Sequence, residues 1–437
     1  MMNLTRFYFI LVAFALFLVT PKINAQEHNH TSPAHTHENA APATGHEGHD
    51  HAAPAHSDAT TTATHEAGAC ATAHGEEKLN LTNIIMEHIG NSNEFHLFGH
   101  YSIPLPCILQ SSGDGLTVCL SSVFEHGHKS YNKYVMYEGV VHRVQDAGMP
   151  TFPREAVEVH ALHPEKIKGG EIGYICYGGE KYPLEKHSVL GASTSFMDFS
   201  ISKNVFTMLL AGILLCAIFF SMAKAYKTRQ GQAPKGLQNF MEPVVSFIID
   251  EVAKPMLGDK YMKFLPYLLT VFFFILANNL LGLIPFFPGG ANVTGNIATT
   301  LVLAVITFLI TNLSANKDYW GHIFWMPGVP AAMKVALAPI ELLGIFTKPV
   351  SLMIRLFANI TAGHIIVLAL VGLIFVFGKN GASVGGASAG TLVAVPFTLF
   401  LSIIELIVAF IQAFIFTILS ASYFAAATEE HAHDEHH

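Results

Sequence analysis

Arg355 lies in SLMIRLFANITAGHIIVLALVGLIFVFG, with apolar neighbours for two turns on either side. A guanidinium keeps its charge there, because its pKa stays above about 12. Placing it at a bilayer centre costs about 2.5 to 3.5 kcal/mol on insertion scales and about 10 or more in simulations. It needs a partner of opposite sign unless it snorkels to an interface. Its position argues against snorkelling, since Lys334 lies 21 residues before it and Gly378 lies 23 after. Going back by sevens gives Lys348, Glu341 and Lys334, one stripe of ionisable groups if Pro349 leaves the helical phase intact, and Asn359 continues it one turn on. His364, nine residues after Arg355, falls on the opposite side of the same helix. Glu405 is the only charged side chain between Lys379 and Glu429, and Gln412 and, roughly, Tyr423 share its stripe. One carboxylate and one imidazole on adjacent apolar helices suit a proton-conducting pair. They also suit a hydrogen-bonded pair that fixes helix register, and the two roles can coexist.

The elements that must hold these residues are membrane helices. Of 437 residues, 51% are hydrophobic and 13% charged, against about 25% charged in a soluble domain. The apolar excess sits in the second half, which implies an α-helical polytopic membrane protein. About five crossings are expected: Phe206 to Ala223, Pro266 to Phe287, Asn296 to Leu313, a segment from about Ala331 to Gly378, and Thr391 to Ala427. The last two exceed one perpendicular span and must tilt or bend, with Pro339 and Pro349 as bend points. Leu237 to Lys260, with Glu242, Asp250, Glu251 and Lys254 among apolar residues, reads as an amphipathic helix on the membrane surface. Lys224, Lys227, Arg229 and Lys235 mark the cytoplasmic side, which leaves the N-terminal region outside and the C-terminus inside. The expected organisation is a signal peptide over 1–25, a His-rich disordered tail over 26–77, and an extracytoplasmic, mostly β domain over 78–203. A membrane domain over 204–428 and a cytoplasmic tail over 429–437 complete it.

Ten of the 25 histidines lie between His28 and His74. His28, His30, His35, His37, His46, His49, His51 and His56 are candidates for weak, multiple binding of Zn²⁺, Cu²⁺ or Ni²⁺, although irregular spacing defines no closed site. A solvated polar tail that buffers protons explains them equally well. Cys70, Cys107, Cys119 and Cys176 face an oxidising compartment on this topology, while Cys216 lies in an apolar helix, and sequence leaves their connectivity open. The net charge of -8 gives no sign of a nucleic-acid partner. The chain has no GxxxxGK[ST] phosphate loop to hold a nucleotide and calls for no cofactor.

IRLFANITAGH around Arg355, IELIVAFIQAFIF around Glu405 and Gln412, PKGLQNFMEPVVSFI, FLPYLLTVFFFILANNLLGLIP and GANVTGNIATTL occur in that order. Together they closely resemble subunit a of F-type ATP synthases, over about Asp198 to Glu430. The resemblance implies a non-catalytic stator subunit of a bacterial inner membrane, with a c-subunit ring, b subunits of the peripheral stalk, the remaining ATP synthase complex and the lipid bilayer as partners. It implies that Arg355 faces ring carboxylates, with Asn359 and Gln412 flanking it. Glu341 would line the cytoplasmic half-channel, and His364 with Glu405 the extracytoplasmic one. Many bacterial relatives carry Glu where this chain has His364 and His where it has Glu405, so the pair is exchanged here. Sodium coupling is the near alternative, and a His-rich metal-ion transporter is the rival from another class. Before Asp198 the resemblance is weak, apart from NEFHLFG near Asn93.

Overall fold

The computed structural model describes residue 85, most of 89–144, short stretches between 157 and 185, and 196–429 except 285–286, 327–329 and 380–381. The expected signal peptide, the candidate metal-binding histidines and the tail beyond 429 lie outside the described residues.

The N-terminal part is a set of small antiparallel sheets. β1 (Glu94–Phe98) pairs with β2 (Tyr101–Pro104), and β3 (Pro106–Ser111) with β4 (Gly115–Leu120). β5 (Lys129–Tyr131), β6 (Tyr134–Tyr137), β7 (Val140–Arg143) and β8 (Val157–Glu158) form a four-stranded sheet. β9 (Glu165–Ile167) pairs with β10 (Gly170–Ile172), β11 (Tyr174–Tyr177) with β12 (Glu180–Pro183), and β13 (Phe196–Asp198) returns to the free edge of β3. β6 and β7 form a hairpin, because Gly139 adopts a φ of +75° and turns the chain between them.

Seven helices follow: α1 (Lys203–Thr228), α2 (Leu237–Ile248), α3 (Tyr261–Gly282), α4 (Ile297–Leu313), α5 (Lys317–Phe324), α6 (Ala331–Phe377) and α7 (Val384–Thr428). α2 runs on through a π-turn to Leu257 and buries one stripe, Gln238, Met241, Ile248, Val252 and Leu257, as a surface amphipathic helix would. Among the described residues four helical runs are long and apolar enough to cross a membrane, five if α4 and α5, which meet at 101°, count as one span. α5 lies outside the five expected crossings. Asn296 caps α4 by accepting a hydrogen bond from the Ala298 N–H.

α6 is one helix of 47 residues through both Pro339 and Pro349. At about 1.5 Å per residue that is roughly 70 Å, more than twice the hydrocarbon thickness, so the helix runs obliquely or projects beyond it. α7 begins seven residues before the expected Thr391, capped by Ser383, whose Oγ accepts from the Gly386 N–H. Its glycine-rich start reads as loop in sequence but serves packing. A Cβ on Gly386 would fall 1.9 Å from the Phe377 carbonyl oxygen, and one on Gly390 3.1 Å from the Ile374 Cα. Only glycine lets the two helices close into a hairpin there.

The core of the membrane part is α3, buried along nearly its whole length by α1, α7 and the α2 extension. Both soluble and membrane parts meet at Phe95 of β1, Phe206 of α1 and Phe287. Phe95 stands 5.5 Å from Phe206 and 5.3 Å from Phe287, edge to face. The Lys203 N–H bonds the Ser92 carbonyl at 2.8 Å beside them. Phe95→Ala should therefore lose about 3 to 5 kcal/mol of packing and loosen β1. Hydrogen exchange should then rise in Glu94–Phe98 and Tyr101–Pro104; unchanged exchange would show that the ring cluster does not fasten the two parts.

Candidate functional site

α6 and α7 pack against one another and bring the sequence-selected residues to two places. The first is behind the α6–α7 seam, toward α3. His364 Nδ1 lies 3.6 Å from Glu405 Oε1, with both side chains less than a fifth exposed. This distance exceeds a hydrogen bond, so a proton passes between them only after a small shift or through a bridging water. The glycine beside His364 makes the approach possible. A Cβ on Gly363 would stand 2.5 Å from Glu405 Oε1. On its other edge the imidazole faces Gly282 at the end of α3, where a Cβ would lie 3.7 Å from Nε2.

A polar belt holds the surrounding elements. The Asn279 side-chain amide donates to the Ala409 carbonyl, one turn after Glu405, at 3.1 Å. The Thr294 hydroxyl donates to Asn279 Oδ1 at 2.5 Å. The Thr361 hydroxyl, just before His364, donates to the Gly295 carbonyl at 3.2 Å. α3, the 288–295 turn, α6 and α7 are thus tied around the acid–imidazole pair. Asn278 Oδ1 and Asn292 Nδ2 are buried near the same elements without a hydrogen-bond partner among the described residues.

The second place is the outer face of α6. Arg355 and Asn359 are exposed there, among exposed Val350, Ile354 and Ile366. The nine-residue offset is realised: Arg355 turns outward and His364 inward. Gln412 is buried, in contrast, and does not share the exposed face of Asn359. Lys348 is half-buried, with Nζ 5.7 Å from the ring centre of Tyr423, which also lies within electrostatic reach of Arg355. Glu341 lies within electrostatic reach of Tyr319 on α5. Lys334 Nζ sits 4.6 Å over the Trp325 ring. Lys348, Tyr423 and Tyr319 line one cleft with Thr307, Thr311 and Asn312 of α4. Among the described residues no group of three or more His, Cys, Asp and Glu could hold a metal ion.

Sequence reasoning did not single out Gly363, Gly282, Asn279 or Thr294. A glycine in mid-helix costs about 1 kcal/mol relative to alanine, and that cost is the signal that could have exposed Gly363.

The architecture defines a polytopic helical membrane protein with an ionic residue on an outer helix face and an acid–imidazole pair behind it. The family described as ATP synthase A chain matches residues 205–425, half of the chain, and this chain belongs to it. It is similar to ATP synthase subunit a 2 of Chlorobaculum tepidum, 48% identical over 55% of this chain and 66% of that relative. It is also similar to ATP synthase subunit a of Pelodictyon phaeoclathratiforme, 44% identical over 64% of this chain and 82% of the relative. A third relative, ATP synthase subunit a 2 of Prosthecochloris aestuarii, is 39% identical over 71% and 83%. Residues 84–163 match a domain of unknown function, DUF8433. The chain is thus a non-catalytic membrane-sector subunit of an ATP synthase.

Gly363→Ala should overpack the seam and cost about 1 to 3 kcal/mol. Gly344→Ala, where a Cβ meets nothing within 4 Å, should be neutral or gain up to about 1 kcal/mol from helix propensity. Denaturation midpoints of the two variants in detergent should separate in that order; equal midpoints would mean that Gly363 bears no close contact.

Proposed function

We propose that this chain is the stator through which protons reach and leave a rotating ring of c subunits, with Arg355 as the fixed charge between two half-channels. The observation that carries this is the exposure of a permanently charged Arg355 on an apolar helix face, with no acid of this chain paired to it among the described residues. Family membership supplies the context in which the missing anion is a carboxyl of another subunit.

The chemistry follows from charge in a poorly polarisable medium. A protonated ring carboxyl that arrives beside Arg355 loses its proton, because the adjacent positive charge lowers its pKa. Its carboxylate is held by the guanidinium and can move on into hydrocarbon only after taking up another proton. Release and uptake occur on different sides, so rotation has a direction. Each charge that crosses 100 mV supplies about 2.3 kcal/mol, so several are needed for each ATP.

His364 and Glu405 serve the extracytoplasmic route. Their 3.6 Å separation, closed by a small shift or a bridging water, suits a relay. Buried Asn278 and Asn292, with polar atoms unpaired among the described residues, offer sites for internal water along this side. The exchange of acid and imidazole between helices preserves the chemistry, because either arrangement passes a proton. Glu341, near Tyr319, and the cleft that holds Lys348 and Tyr423 suit the cytoplasmic route. The four basic residues at and just beyond the end of α1, Lys224, Lys227, Arg229 and Lys235, favour the cytoplasm for that side and the exterior for the β region.

Arg355→Ala should abolish proton-driven ATP synthesis while the complex still assembles. Arg355→Lys should fail too, since an ammonium can shed its proton when desolvated and lacks the planar fork. Synthesis by Arg355→Lys vesicles at half the normal rate would contradict the assignment. Glu405→Gln and His364→Ala should each slow proton uptake in vesicles, and the double variant should lose much less than the two losses combined. Additive losses would assign the residues independent structural roles.

A further inference from the structure

The register of β3 and β4 sets Cys107 directly opposite Cys119. Pro106 and Ile108 turn their carbonyls away from β4, to the N–H groups of Ile201 and Phe199. Cys107 therefore turns its own backbone groups toward β4, and the two cysteines occupy a hydrogen-bonded cross-strand position. Such positions hold Cα atoms about 5.5 Å apart, within the roughly 4.4 to 6.8 Å that a disulfide bridges. Both side chains leave the same face of the sheet, and the two thiols are near enough to hydrogen-bond each other. The structure holds both as thiols. Cys107 is fully buried, and the Asn93 side-chain amide donates to its Sγ at 3.3 Å; Cys119 is half-buried.

We propose that Cys107 and Cys119 are oxidised to an intramolecular cross-strand disulfide by a thiol–disulfide oxidoreductase. The inference rests on the extracytoplasmic placement of the β region and on no part of the proton route. Cys119, the more accessible of the two, is the entry point. Its thiolate attacks one sulfur of the oxidant's disulfide, which forms a mixed disulfide and expels the first oxidant thiolate. The Cys107 thiolate then attacks Cys119 Sγ, forms the new S–S bond and expels the second. Two electrons reduce the oxidant to its dithiol form, and the two protons lost by the cysteines go to its thiolates. The neighbouring Cys107 thiol raises the pKa of Cys119 well above the ordinary thiol range. The bond would lock β3 to β4, in the sheet whose third strand, β13, leads through Phe199 and Ile201 into α1.

The test uses the full chain in its membrane. Cells are quenched with acid to stop thiol exchange, the protein is denatured with excess alkylating agent, and peptides are analysed without reductant. The Cys107 and Cys119 peptides should be joined, and Cys107→Ser should leave Cys119 fully alkylated. Two alkylated thiols in the unaltered chain, or Cys107 joined to a different cysteine, would overturn the proposal. In parallel, intact spheroplasts receive a membrane-impermeant phosphine, then an impermeant maleimide, and are denatured before analysis. Label on Cys119 that requires the phosphine supports the disulfide. Label without the phosphine overturns it and leaves the extracytoplasmic placement standing, whereas no label with the phosphine overturns both.

Discussion

A guanidinium cannot shed its proton, so wherever hydrocarbon surrounds it the protein must supply an anion or water. Among the described residues no acid of its own chain pairs with Arg355. α6 presents it outward among exposed apolar side chains, and the remaining architecture is consistent with a charge whose partner comes from outside the chain. A helix of 47 residues is far longer than a membrane crossing needs. Its length gives it a long apolar face beside the seam it shares with α7.

Behind that face the problem is reversed. A carboxyl and an imidazole lie 3.6 Å apart there, both largely buried. Gly363 removes the Cβ that would strike Glu405, and Gly282 one that would crowd the Ala291 carbonyl beside His364. The Asn279, Thr294 and Thr361 hydrogen bonds tie the surrounding backbones together around the pair.

Much of this was legible in the sequence. Apolar runs and basic clusters mark the helices because hydrocarbon tolerates few alternatives, and the offset between Arg355 and His364 follows from helical periodicity alone. Less legible were features that depend on two elements at once. Gly386 and Gly390 look like loop residues until α6 lies against them, and the extra turns of α7 follow from that contact. α5 has too few residues for a clear period, and its 101° turn from α4 is a tertiary outcome. The burial of Gln412 and the hairpin at Gly139 likewise depend on neighbours that a linear pattern does not contain. A single apolar stripe shows where charge is anomalous, but not which backbone will approach it.

The central claim is that the partner of Arg355 is a carboxylate of another subunit. The most direct measurement is the distance from its guanidinium to the nearest ring carboxyl in an electron cryomicroscopy structure of the whole complex. The account predicts one carboxyl within direct or single-water reach, about 3 to 6 Å, at some stage of rotation. A guanidinium that in every rotational state faces lipid, or pairs with an acid of its own chain, would contradict it.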